Sequence, residues 1–134
     1  MIKKMKSIFP KGELVFDATN SKGLEVANKY GMIQPNASNT QAVRAVFVID
    51  PNGKIRTILY YPLSTGRNFD EIKRIILALQ KADSDHCATP ADWRPGDDVI
   101  VPTAGSCGTA RERMENQSED QYCLDWFLCF RKEK

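Results

Sequence analysis

The sequence predicts an α/β chain, and three observations carry that prediction. Val43 to Ile49 is a near-continuous apolar, β-branched run, the pattern of a strand covered on both faces. Asp50-Pro51-Asn52-Gly53 supplies turn chemistry, with Pro fixing φ at the second position and Gly closing the turn. Ile55 to Tyr61 then returns as the second strand of a hairpin, ended by Pro62. Asn68 opens a helix with Glu71 three residues later, the reciprocal capping arrangement. Phe69, Ile72, Ile75, Ile76 and Leu79 keep helical spacing, while Asp70, Lys73, Arg74 and Lys81 take the wet side.

The remaining elements are shorter. Leu14 to Phe16 is an apolar run ended by Asp17, predicting a strand. Asn20 or Ser21 can cap a short helix carrying Leu24, Val26, Ala27 and Tyr30, with Gly31 as the residue that ends it. After Asp83 the character changes: Pro90, Pro95, Pro102 and the Gly105 to Gly108 loop break the chain, with one short strand predicted at Val99 to Val101. An amphipathic piece from Thr109 leads into the run Tyr122 to Phe130, and no internal repeat is present.

Composition limits what such a chain can be. Its 134 residues, 42% hydrophobic and 27% charged, have room for one ordinary globular domain, which excludes wholesale disorder, collagen and coiled coil. No apolar stretch approaches the roughly 18 residues of a membrane span. Met1 to Lys11 scatters Ile, Met and Phe among four lysines and lacks the apolar core of a secretory signal, so a cytoplasmic protein is expected. Nineteen basic residues against seventeen acidic ones leave a net charge of +2, too little for a nucleic-acid footprint.

Four cysteines, Cys87, Cys107, Cys123 and Cys129, are unevenly placed and form no C-x-x-C, so in a reducing compartment they are expected to be thiols unless catalytic. Cys123 and Cys129 lie six positions apart, which on a regular helix means about 240° of rotation and about 9 Å of rise. On a single strand they would stand roughly 20 Å apart. Both separations exceed the 7 Å or so that a disulfide tolerates between α-carbons, so each needs a partner elsewhere unless the backbone folds back. Around them, Leu124, Trp126, Phe127, Leu128 and Phe130 form an apolar tail that needs a covering surface, from this domain or another subunit.

Two arginines also need acceptors. Arg44 enters the buried strand, and Arg67 sits in the loop before the capped helix. Either can serve a structural ion pair, or can lower the pKa of a nearby thiol, which unshifted at about 8.5 is only about 3% thiolate at pH 7. His86, the only histidine, lacks an orienting third residue for Cys-His catalysis. Zinc spacings are absent, and Gly105-Ser106-Cys107-Gly108 has neither the setting nor the lysine of a phosphate loop.

Several blocks of residues, in order, resemble a known family. Val43 to Pro51, Ile55-Arg56, Tyr60-Tyr61-Pro62, Thr65 to Ile72 and Thr89 to Asp97 resemble the later part of a peroxiredoxin, in particular the one-cysteine enzymes and their prokaryotic thioredoxin-dependent relatives. Tyr122 to Cys129 is similar to the C-terminal arm of those prokaryotic members. The resemblance implies a partial thioredoxin-like (peroxiredoxin) sheet with flanking helices plus an extended C-terminal arm. It implies a truncated thioredoxin-like unit over residues 1–82 and a C-terminal domain and arm over residues 83–134.

The resemblance also implies roles. Arg44 matches the arginine that helps bind peroxide and stabilise the attacking thiolate, and Arg67 a second arginine near the same pocket. Cys129 matches the resolving cysteine of the arm, and Cys123 its neighbour; Cys87 and Cys107 match no catalytic position. The implied chemistry is reduction of a hydroperoxide substrate through cysteine sulfenic acid and a redox-active disulfide, with a thioredoxin-like reductant, no metal or organic cofactor, and a homodimer or higher oligomer. The peroxidatic P-x-x-x-T-x-x-C loop is expected upstream of Arg44, where this sequence has no cysteine and where Pro10-Lys11-Gly12 and Thr19 do not make it. The chain is therefore expected to be the rear portion of such an enzyme and inactive alone. A second reading is a non-enzymatic assembly or redox-relay module that pairs with an intact subunit.

Overall fold

The computed structural model describes residues 14–16, as backbone, together with 25–36 and 42–133. The helix start expected at Asn20 or Ser21, with Leu24, lies outside them. Two compact units are present, Met1–Arg67 and Asn68–Lys134.

In the first unit, β1 (Leu14–Phe16), β2 (Arg44–Ile49) and β3 (Ile55–Tyr61) form an antiparallel sheet in that order. Ala45, Val46 and Phe47 are buried in succession, as expected of a strand covered on both faces. Asp50 Oδ1 accepts from the Asn52 and Lys54 N–H groups at 2.9 and 3.0 Å, and Gly53 takes φ +78°, which only a residue without Cβ adopts readily. The short helix α1 (Glu25–Lys29) ends at Gly31, φ +63°: Met32 N–H donates to the Ala27 carbonyl and Gly31 N–H to that of Asn28, the paired bonds of a glycine-terminated helix. Ala27, Met32, Val43, Ala45 and Phe47 pack into one core. Beside it Tyr30, Phe47 and Tyr60 stack edge to face, and the Tyr60 hydroxyl donates to the Tyr30 carbonyl at 2.8 Å.

The second unit opens with α2 (Phe69–Asp85), capped by Asn68, whose side chain accepts from the Asp70 and Glu71 N–H groups. The cap is not the reciprocal one expected, because the Glu71 carboxylate is taken by Arg74, two bonds at 2.7 and 2.9 Å. A bidentate guanidinium is a stronger partner than a backbone N–H. Ile72, Ile76 and Ala78 form the buried stripe, while Phe69 stays exposed. Ala78 packs with Trp93 and Val99, so the change of composition at Asp83 falls inside this unit. The Trp93 indole N–H donates to the Asp97 carbonyl at 2.9 Å, which lets a large aromatic be buried with its polar atom satisfied.

Next come β4 (Val99–Ile100), α3 (Cys107–Glu115, capped by Ser106), β5 (Gln121–Asp125) and β6 (Leu128–Arg131). The three strands pair antiparallel in the order β4-β6-β5. Lys81 and Asp85 on α2 form ion pairs with Glu133 and Arg131 respectively, fastening the end of β6 to the helix.

Candidate functional site

The run Tyr122 to Phe130 is neither one helix nor one strand. Asp125 interrupts its apolar residues, and its Oδ1 accepts from the Trp126 N–H at 2.7 Å, a local bond that competes with continuing the strand. Trp126 and Phe127 form the tip of a hairpin between β5 and β6, which brings Cys123 directly opposite Cys129. The two are joined in a disulfide, with Cα atoms 3.9 Å apart. The expectation of partners elsewhere is thus corrected by the one condition attached to it: the backbone folds back.

Backbone hydrogen bonds explain the close approach. The Cys129 carbonyl accepts from Val101 N–H on one side at 2.9 Å, and Cys123 N–H donates to the Gln117 side chain at 3.4 Å. Both residues turn their main-chain groups away from each other, so they occupy a narrow, non-hydrogen-bonded position in the ladder. Cys129, on the central strand, is 3% exposed; Cys123, on the edge strand, is half-buried. Cys123 Sγ lies 3.7 Å from the Arg113 carbonyl oxygen near the end of α3, and the Arg113 guanidinium donates to the Pro102 carbonyl at 2.7 Å. Beyond the disulfide, Leu124, Trp126 and Phe127 are exposed at the hairpin tip. An open groove of about 670 Å³ runs between Trp126 and α3, with Cys107, Ala110 and Met114 on its wall.

The other two cysteines are free. Cys87 is half-buried, and burial pushes its thiol up despite the opposing charge of Arg131, which disfavours the nucleophilic thiolate. Cys107 is exposed at the start of α3. Both arginines singled out from sequence belong to the first unit and both disulfide cysteines to the second. Arg44 is exposed and has found a backbone acceptor, its Nε donating to the Leu63 carbonyl at 3.0 Å; Arg67 is half-buried. Among the described residues no cluster of His, Cys, Asp and Glu could hold a metal ion, and no helix is long and apolar enough to cross a membrane.

Sequence and structure comparisons agree with this architecture. A family model described as the C-terminal domain of 1-Cys peroxiredoxin matches residues 78–117. A peroxiredoxin of Methanosarcina mazei is 57% identical over 121 residues, which cover 90% of this chain and 55% of the relative. One from Thermotoga maritima is 49% identical over 112 residues, 81% of this chain and 51% of the relative. The structure of a yeast mitochondrial 1-Cys peroxiredoxin, studied for thiol resolution by the glutathione and thioredoxin systems, superposes with a TM-score of 0.67 at 34% identity, covering 98% of this chain and 63% of that one. A mutant of peroxiredoxin 6 from Arenicola marina gives 0.64 at 35% identity, covering 83% of this chain and 53% of that one.

The chain belongs to the peroxiredoxin family and carries its C-terminal portion, with the corresponding partial thioredoxin-like α/β fold. It spans about half the length of the curated relatives it matches.

Proposed function

We propose that the chain supplies the arm and pocket arginines of a thiol peroxidase that reduces hydroperoxides with electrons from a thioredoxin-like dithiol. The observation that carries this reading is the Cys123–Cys129 pair, two cysteines of an extended hairpin already in disulfide register. In the full reaction a peroxidatic thiolate attacks the peroxide, giving an alcohol and a sulfenic acid. The resolving thiol then condenses with that sulfenic acid to form a disulfide, releasing water, and dithiol exchange returns two electrons and two protons. Cys129 takes the resolving role and Cys123 exchanges with it. Arg44 and Arg67 bind the peroxide and hold the peroxidatic sulfur as thiolate. A disulfide in a cytoplasmic protein is generally transient and catalytic, which fits this use.

With no cysteine before Cys87, the 134-residue chain does not turn over peroxide by itself. The purified chain, oxidised and given thioredoxin, thioredoxin reductase and NADPH, is expected to accept one pair of electrons and then stop, with or without hydroperoxide. Sustained peroxide-dependent NADPH oxidation, abolished by Cys129→Ser or Cys123→Ser, would overturn the inactivity. Failure to accept even the first pair would overturn the redox assignment. The exposed Leu124, Trp126 and Phe127 favour a second reading, an assembly or relay module that docks on an intact peroxiredoxin subunit and lends it the arm.

A further inference from the structure

The two sulfurs of the hairpin are not equivalent. Cys129 sits on β6, flanked by β4 on one side and β5 on the other, and is 3% exposed; Cys123 sits on β5 at the edge of the sheet and is half-buried. Thiol–disulfide exchange needs the incoming thiolate to approach the attacked sulfur in line with the bond it breaks, so access selects which sulfur is attacked. From this asymmetry we infer that Cys123 is the entry point for reducing equivalents and Cys129 the sulfur released, a division of labour that rests on reading the pair as redox-active. The donor thiolate forms a bond to Cys123 Sγ, the Cys123–Cys129 bond breaks, and Cys129 leaves as thiolate and takes up a proton. The donor's second thiol loses its proton and attacks the donor sulfur of the mixed disulfide, freeing Cys123 as a thiolate that is protonated in turn. The donor ends as a disulfide, and the pair has gained two electrons and two protons.

The sheltered thiol is thereby the one released. Any partner sulfur that Cys129 serves must meet it after the hairpin loosens, whereas a soluble dithiol meets Cys123 at the sheet edge with the strands still paired.

The test uses the whole chain with its disulfide intact. Cys87 and Cys107 are first blocked with N-ethylmaleimide, then limiting glutathione is added in the presence of iodoacetamide, and fragmentation mass spectrometry locates each adduct. Glutathione is expected on Cys123 and the alkyl group on Cys129, with at least about a tenfold preference that collapses when the same exchange is run in denaturing guanidinium. Glutathione chiefly on Cys129, an even split, or a preference that persists in the denatured chain overturns the assignment while leaving the redox reading intact. No mixed disulfide at either cysteine overturns both.

Discussion

Cys123 and Cys129 are cross-strand neighbours in a hairpin whose tip is Trp126-Phe127, so a separation of six residues in sequence becomes 3.9 Å between α-carbons. Closing so short a loop removes little entropy from the unfolded chain, about 2 kcal/mol in the chain-entropy account. Reduction, Cys123→Ser and Cys129→Ser should each weaken β5–β6 by about that much. Amide hydrogen exchange should report faster opening over 121–131 and unchanged protection in the β2–β3 ladder. Equal exchange in oxidised and reduced protein would show that the hairpin stands without its crosslink.

Why that pairing was not legible in the sequence while the strands of the first unit were comes down to the range of the interactions involved. Val43 to Ile49, the Asp50 to Gly53 turn and Ile55 to Tyr61 signal themselves through local pattern, and β2 and β3 follow those bounds within a residue. Gly31 likewise ends α1 where a left-handed residue was needed. At Asn68 the cap was readable but its reciprocal half was not, since Arg74 competes for Glu71 from one turn further along. The nine-residue run Tyr122 to Phe130 has no Gly, Pro or Asn to mark a turn. The signal was a single aspartate, Asp125, set among apolar residues. The register that joins the cysteines is set by the two-residue tip Trp126-Phe127 between β5 and β6, a turn that no turn-forming residue announces.

Acid and alkali should both loosen the C-terminal strand, through different groups. The Lys81 ammonium, followed by the Ser84 hydroxyl, holds the Asp85 carboxyl below its usual range, and the carboxylates of Asp85 and Glu133 hold Lys81 above its own. A lowered carboxyl pKa contributes stability that is present above the ordinary value near 4 and is lost as pH falls through the native value. A raised lysine contributes stability that is complete below the ordinary value near 10.4 and is lost as pH rises through the native one. Protection of residues 128–133 should therefore be flat across neutral pH and fall at both ends. In Asp85→Asn the acid limb should shrink, and an unchanged acid limb in that variant would remove Asp85 from the account.

Free thiols should differ in reactivity for reasons of position. Cys107 is exposed at the start of α3, whereas Cys87 is half-buried with its Sγ 3.7 Å from the Lys81 carbonyl and its thiol pushed up by burial. At neutral pH iodoacetamide should modify Cys107 at least about tenfold faster than Cys87. The gap should narrow as pH rises and the buried thiol begins to ionise. Mass spectrometry of a labelling time course checks this, and Cys87 reacting first would contradict the burial that sets its chemistry.

The hairpin tip gives the assembly reading its sharpest test. Leu124, Trp126 and Phe127 are 68, 63 and 53% exposed, side by side at a turn, where large apolar groups lower solubility without supporting the core. If they dock on an intact peroxiredoxin subunit, co-expression of this chain with a full-length family member should yield a mixed oligomer on size exclusion. Trp126→Ser with Phe127→Ser should then reduce its yield by about tenfold or more, since exposed aromatics at the centre of a contact carry most of its binding free energy. The same double variant should leave the thermal midpoint of the chain alone within the small change expected of surface positions. A mixed oligomer formed equally well by the variant would move the contact away from the tip. Separate species for both chains would leave the arm without a partner subunit.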